Sequence, residues 1–146
     1  MYELVKNNDI EDITKRALAL IAEVEGKLNK SGEGEELEQI RVKLSRLGAV
    51  IGQFEAKAEY DESTLDSQRK VQETRAFMNA KHGIEKLSVA EANRYAELEV
   101  EQIVKDRNEA HYTYKQLRNL RESVNETCNA IAGRLHTLRR EYQDTK

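Results

Sequence analysis

The sequence predicts an all-α protein: a long antiparallel helical hairpin of the coiled-coil type, with a shorter N-terminal helix packed against it as a three-helix bundle. Three observations support this fold class. The 146 residues include no proline, and 35% of them are charged, a composition typical of long helices. Apolar residues recur at alternating steps of three and four. Helix-ending signals are few and far apart. We therefore expect one helical domain over residues 1–146.

The first helix is predicted over about residues 9–30. Asn8 or Asp9 suits its N-cap, because a short polar side chain accepts a hydrogen bond from the first turn. One face carries an apolar stripe, formed by Ile10, Ile13, Ala17, Leu20, Val24 and Leu28. The segment SGEG at 31–34 should end the helix, because two glycines in four residues favour a turn.

The second helix is predicted over about residues 35–82. Its apolar residues alternate by three and four, as in a coiled-coil seam; they are Leu37, Ile40, Leu44, Leu47, Ile51, Phe54 and Ala58. The same spacing then places Asp61, Gln68 and Gln72 in the seam, so the seam is expected to turn polar. Gly83 should end the helix in the left-handed conformation that glycine tolerates there.

The third helix is predicted over about residues 89–143 and has the clearest start. In LSVAE, Ser88 and Glu91 have the spacing of a capping box, in which each side chain bonds the other residue's backbone N–H. No glycine or proline follows for more than forty residues, so we expect one continuous helix.

The short connection between the second and third helices predicts an antiparallel pair. Pairing about this turn sets residues 37–58 opposite roughly 112–135, the two most apolar stretches. The part between them, about 60–110, becomes a two-helix arm with a mostly polar seam. Such an arm buries little apolar area, so we expect the chain to form a homo-oligomer.

Glycines inside the helices predict close packing. Glycine costs about 1 kcal/mol relative to alanine in a helix, yet Gly48 and Gly52 lie four residues apart, as do Ala22 and Gly26. We expect a neighbouring element to approach the backbone closely at these positions, with Gly133 in the same layer. Tolerance on an exposed face is the alternative.

Motifs for catalysis, metal binding or cofactor binding are missing from the sequence. GEG at 32–34 lacks the Lys-Ser/Thr of a phosphate-binding loop, and the histidines do not have the spacing of metal ligands. The one cysteine, Cys128, lies on an apolar stripe and is interpreted as a small buried hydrophobe. We therefore expect no enzyme activity and no cofactor.

The location is expected to be the cytoplasm. The longest apolar run, ALALIA at 17–22, is too short to cross a bilayer, so no membrane association is expected. The N-terminal stretch MYELVKNND lacks the features of a signal peptide.

The stretch HYTYKQLRNLR, residues 111–121, is the candidate binding surface. Tyr114, Arg118 and Arg121 share one helical stripe beside the apolar residues of this helix. Tyrosine and arginine are favoured anchors in protein interfaces, and they also stack on bases and neutralise phosphates. These three residues are predicted to bind a partner and to be dispensable for folding. Tyr112 is expected to face the seam near Phe54 or Ala58. A plain solvated face is the alternative.

The C-terminal part resembles small all-helical proteins of unassigned activity from the early or recombination regions of phages of Gram-positive bacteria. The resemblance covers mainly residues 88–146 and rests on LRNLRESVNETCNAIAGRLHTLRREY at 117–142. It implies a viral product in the host cytoplasm that assists DNA recombination or inhibits a host defence protein.

The function expected first is a non-enzymatic protein-interaction module, a phage factor that binds and modulates a host or viral protein. A recombination accessory that binds single-stranded DNA is the second choice, because residues 116–146 carry more basic than acidic residues. A structural coiled-coil component is the third.

Overall fold

A computed structural model describes residues 7–28 and 34–146 of the chain. These residues form four helices and no strand: α1 is Asn7–Lys27, α2 is Gly34–His82, α3 is Val89–Glu99 and α4 is Glu101–Asp144. The predicted all-α class is confirmed. The predicted turn at SGEG lies outside the described residues apart from Gly34, which already belongs to α2.

The chain divides into two compact units, which we describe separately. The central unit is Ala56–Tyr114, from the second part of α2, all of α3 and the first part of α4. The terminal unit contains the described residues up to Glu55 together with Lys115–Lys146. The organisation of residues 1–146 as a single domain stays a prediction.

The terminal unit has an aliphatic core supplied by α1, α2 and α4. Its buried apolar residues are Ile13, Ala17, Val24, Leu37, Ile40, Leu44, Ile51, Leu117, Leu120, Val124 and Ile131. They follow the predicted stripes, because steps of three and four keep residues on one side of a helix. Phe54 departs from the pattern: it is half-buried, while the neighbouring Glu55 is buried. Glu55 also has the right spacing, lying between Ile51 and Ala58.

Only some of the glycines meet a neighbour. A Cβ on Gly48 would lie 3.3 Å from Cγ1 of Val124, which is tighter than ordinary packing, and a Cβ on Gly52 would lie 3.8 Å from Cδ of Arg121. A Cβ on Gly26 or Gly133 would meet nothing within 4 Å. The packing interpretation therefore holds at Gly48, is looser at Gly52, and is wrong for Gly26 and Gly133.

The central unit buries small side chains and one carboxylate. Its buried residues are Ala58, Asp61, Leu65, Ala92, Ala96, Val100 and Ala110. Gln68 and Gln72, which were predicted for the seam, are exposed, while Arg69 and Glu73 are half-buried. The buried face of α2 thus continues one position further along the chain than the predicted heptad.

Asp61 is the least satisfied of these buried groups. Its residue is 1% exposed, Nζ of Lys57 lies 3.5 Å from its Oδ2, and its Oδ1 has no hydrogen-bond partner. A buried carboxylate oxygen without a partner is unfavourable.

The helix predicted over 89–143 is interrupted once, at Val100. This residue caps α3 with φ −104° and ψ 6°, outside the helical region, although its carbonyl accepts a hydrogen bond from the N–H of Val104. The buried residues of α3 are spaced by four, as Ala92, Ala96 and Val100, whereas further along they alternate by three and four. A local change of winding allows both spacings to face the same neighbour.

The two predicted helix-end signals near the turn have different outcomes. The capping box is confirmed: Oγ of Ser88 accepts from the N–H of Glu91 at 3.3 Å, and Oε2 of Glu91 accepts from the N–H of Ser88 at 3.0 Å. The carboxylate of Glu91 accepts hydrogen bonds from the N–H of Ser88 and from its Oγ at 2.9 Å, and both lower the pKa of Glu91. The prediction for Gly83 is confirmed in position, because α2 ends at His82, and is wrong in conformation, because the φ of Gly83 is not left-handed. A Cβ there would instead lie 2.7 Å from the carbonyl oxygen of Asn79, so glycine is required for space.

Candidate functional site

Arg121, one of the three predicted binding residues, is held by a buried carboxylate of the terminal unit. Its guanidinium donates from Nε to Oε2 of Glu55 and from Nη2 to Oε1 at 3.2 Å. The Glu55 side chain is 12% exposed and the Arg121 side chain is 36% exposed. A two-point ion pair of this kind fixes the guanidinium plane as well as its charge. This ion pair leads us to expect that Arg121 contributes to the stability of the terminal unit, whereas the sequence predicted that it is dispensable for folding.

Arg118 has a more open position in the same unit. Its Nε lies 3.2 Å from Oε1 of Glu122, one turn further along α4, and both side chains are about half exposed. Exposed pairs four residues apart on a helix contribute about 0.3–0.5 kcal/mol. Arg118 is thus a surface residue with a weak local contact, which suits the predicted role.

The two tyrosines of HYTYKQLRNLR belong to the central unit. Tyr114 is half-buried. Tyr112 is 64% exposed, and the expectation that it faces the seam is wrong. Ala110 and Leu117 are buried, and between them in the sequence His111 and Tyr114, rather than Tyr112, are half-buried.

A shallow groove runs along the terminal unit beside Arg121. Its volume is about 460 Å³, and it is lined by Ser45, Gly48, Ala49, Arg121, Asn125, Cys128 and Asn129. On the α2 side the groove is lined by Gly48, which has no side chain, and by Ala49, whose side chain is a single methyl group. Asn125 and Asn129 are exposed on α4 and offer amide donors and acceptors. The groove therefore has one side lined by small residues and another lined by polar groups that can fix the orientation of a side chain from another molecule.

The thiol of Cys128 lies inside this groove. Its Sγ is 3.9 Å from Oγ of Ser45 and 4.0 Å from the carbonyl oxygen of Arg41. Cys128 is half-buried, so it is less enclosed than its place on the apolar stripe predicted. Both contacts are with polar atoms of α2, which explains why the sulfur is not enclosed in the aliphatic core.

The central unit contains a separate cluster of charges centred on Asp66. Arg107 of α4 lies 2.9 Å from its Oδ1, and on α2 Lys70 lies 3.0 Å and Arg69 3.3 Å from its carboxylate. Hydrogen bonds from Lys70, then from Arg107, lower the pKa of Asp66 to about 2. Nearby, Nδ1 of His111 lies 2.8 Å from Oε1 of Glu62. The contacts of Asp66 with Arg107 and of Glu62 with His111 join α2 to α4 within the central unit, so they act as structural bonds.

Among the residues that the structure describes, no group of three or more His, Cys, Asp or Glu side chains could hold a metal ion. Within the same residues, no helix has the length and apolar character needed to span a membrane.

Comparison with known proteins gives no relative for this chain. No family model, no curated protein and no solved structure matches it.

Proposed function

We propose that this chain is a non-enzymatic helical protein-interaction module, and that it is a phage factor acting in the host cytoplasm by binding and modulating a host or viral protein, such as a host defence protein. The observation that carries the proposal is the groove beside Arg121. A guanidinium already fixed by Glu55 loses little further freedom on binding, and arginine is a favoured interface anchor.

Tyr114, Arg118 and Arg121 are the proposed partner-binding residues. Arg121 is the anchor at the groove, Arg118 adds an exposed cation, and Tyr114 adds a half-buried ring in the central unit. Arg121 is supported by its ion pair with Glu55, Arg118 by its exposure and Tyr114 by its partial exposure.

We also propose how the helices are arranged. We infer an antiparallel hairpin formed by α2 and α4, with α1 as the third member of a bundle. In support, within each unit a later residue of α2 contacts an earlier residue of α4, which is the order expected of antiparallel helices. Gly48 faces Val124 and Glu55 faces Arg121 in the terminal unit, and Glu62 faces His111 and Asp66 faces Arg107 in the central unit.

We also propose that the chain forms homo-oligomers. The central unit supports this, because its buried side chains are mostly alanine and therefore remove little apolar surface from water. Analytical ultracentrifugation should show a dimer or larger species at micromolar concentration, and a monomer mass across that range would contradict it.

Single-stranded DNA binding by a recombination accessory remains the second candidate, and a structural coiled-coil role the third. The basic C-terminal part motivates the DNA role, but three of its six cations pair with carboxylates of the chain. Arg118 pairs with Glu122, Arg121 with Glu55, and Arg134 with Glu141 at 3.7 Å. Each such pair reduces the charge that is available to phosphates.

The experiment is affinity purification of the tagged chain from its native cell, with mass spectrometry of what co-purifies. The affinity of the partner found is then measured for Tyr114→Ala/Arg118→Ala and for a control, Lys115→Ala/Asn119→Ala, on exposed positions of α4. We expect Tyr114→Ala/Arg118→Ala to weaken binding at least tenfold, because a tyrosine or arginine that acts as a hot spot in an interface contributes about 2 kcal/mol, and the control to have no effect. Equal affinity for both would contradict the assignment. DNA binding that falls steeply with salt would favour the second candidate.

A further inference from the structure

The side of α2 that faces away from the buried residues of the central unit is uncharged along its centre. With 3.6 residues per turn, the outermost positions are Tyr60, Thr64, Ser67, Val71, Thr74 and Met78, which we call the outer α2 stripe. Tyr60, Val71 and Met78 are 64%, 57% and 48% exposed. Charge normally concentrates on the helix side opposite the core. An uncharged stripe at that position therefore indicates a surface that is covered by another molecule.

The charged residues of this span are sorted between the two halves of the helix. The carboxylates between 60 and 82 all lie on the half turned toward the buried residues; they are Asp61, Glu62, Asp66 and Glu73. Lys70, Arg75 and Lys81 instead border the outer α2 stripe, and of these Lys70 also pairs with Asp66. The stripe therefore has a cationic border without carboxylates and fits a surface bordered by negative charge.

A surface of that chemistry lies on the other outer side of the central unit. The residues of α3 and early α4 that face away from Ala92, Ala96 and Val100 expose Tyr95 and Leu98. The charged residues around them are Glu91, Glu97, Glu101 and Glu109, against Arg94 and Lys105. Lys105 pairs with Glu101 at 3.1 Å, and Glu97 and Glu101 lie on the flank nearer to α2, where they border a groove with Arg69. We call this surface the acidic α3–α4 face.

We infer that the outer α2 stripe of one copy binds the acidic α3–α4 face of a second copy. This rests on the self-association proposed above and assigns it to two surfaces. From Tyr60 to Met78 the stripe is about 27 Å long, and from Glu91 to Glu109 the face is also about 27 Å long at 1.5 Å per residue, so the lengths are compatible. Pairing of the stripe with itself would instead bring two cationic borders together, which is unfavourable. Since the two surfaces differ, the contact is head-to-tail and leaves one of each surface open for the next copy.

Charge reversal on each surface tests this inference. In the stripe variant, Thr74→Glu/Arg75→Glu, two exposed residues become acidic without loss of helix propensity. In the face variant, Glu97→Lys/Glu101→Lys, two exposed carboxylates become basic. Like charges then oppose each other in either homogeneous sample, so sedimentation should show self-association weakened at least about tenfold. An equimolar mixture should recover it, because each altered surface then meets one of opposite charge.

The control is Thr137→Glu/Arg140→Glu, which makes the same residue changes at exposed positions of α4 in the terminal unit; it should associate like the wild-type chain. If the face variant also associates like wild type, the inference is overturned. If the wild-type chain is oligomeric and neither variant weakens its self-association, the assignment of the two surfaces is wrong, although the chain still self-associates. A wild-type chain that stays monomeric removes both. If the stripe variant keeps its mass but loses retention of a single-stranded DNA oligonucleotide, the stripe is a nucleic-acid surface and the inference fails.

Discussion

Replacing Arg121 by alanine should destabilise the fold far more than the same change at Arg118. Arg121→Ala removes the guanidinium that pairs with the buried carboxylate of Glu55. Removing one partner of a fully buried pair costs about 3–5 kcal/mol, and exposed pairs contribute about 0.2–1 kcal/mol. With Glu55 12% exposed and Arg121 36% exposed, the Arg121→Ala variant falls between these limits, at about 2 kcal/mol.

The assay is thermal and urea unfolding followed by circular dichroism. For a chain of this size, about 2 kcal/mol lowers Tm by roughly 6 °C. Arg118→Ala is the matched control, because its pair with Glu122 is about half exposed, and its Tm should change by no more than about 2 °C. Adding Glu55→Gln to Arg121→Ala should recover part of the loss, since the unpaired charge is then gone. Equal Tm values for the two alanine variants, or no recovery with Glu55→Gln, would refute the argument.

Three further outcomes are expected. Gly48→Leu should cost about 1–3 kcal/mol by overpacking against Val124, whereas Gly26→Ala and Gly133→Ala should each add up to about 1 kcal/mol in urea unfolding, because both positions are open. Asp61→Ala should raise Tm, since it removes a buried carboxylate oxygen that has no partner; a lower Tm would show that the contact with Lys57 dominates. Asp66 has a folded-state pKa of about 2, below its ordinary 3.8, so its contribution is present above pH 4 and lost as the pH falls toward 2. Tm should accordingly fall less over this range in Asp66→Asn than in the wild type, and parallel pH profiles would contradict the assignment.

The sequence predicted the features that depend on local chemistry. The capping box of Ser88 and Glu91 was predictable because both partners lie within one turn. The core of the terminal unit was predictable because its aliphatic residues keep a regular spacing over long stretches. The break at Val100 was not predictable, since no glycine or proline marks it. It occurs where the buried residues change from a spacing of four to an alternation of three and four.

The candidate site was less predictable than the fold. The spacing in HYTYKQLRNLR placed Arg121 on a stripe beside the apolar residues, but Glu55 lies 66 residues away in the chain. A sequence pattern identifies which residues share a helix face and does not identify their partner across two helices. Phe54 and Glu55 both fit the spacing around Ile51 and Ala58, and the carboxylate was overlooked because burial of a charge is expected only when a partner is known.

The position of Cys128 gives the groove a built-in chemical reporter. It is the one cysteine of the 146 residues, and it lies in the groove lined by Arg121 and Asn125. A thiol-reactive fluorophore would therefore label a single site without any engineered substitution. Since the thiol is half-buried, the rate of labelling depends on access to the groove. A bound partner that occupies the groove should slow the reaction, so labelling kinetics provide a direct readout of occupancy in a mixture or a cell extract.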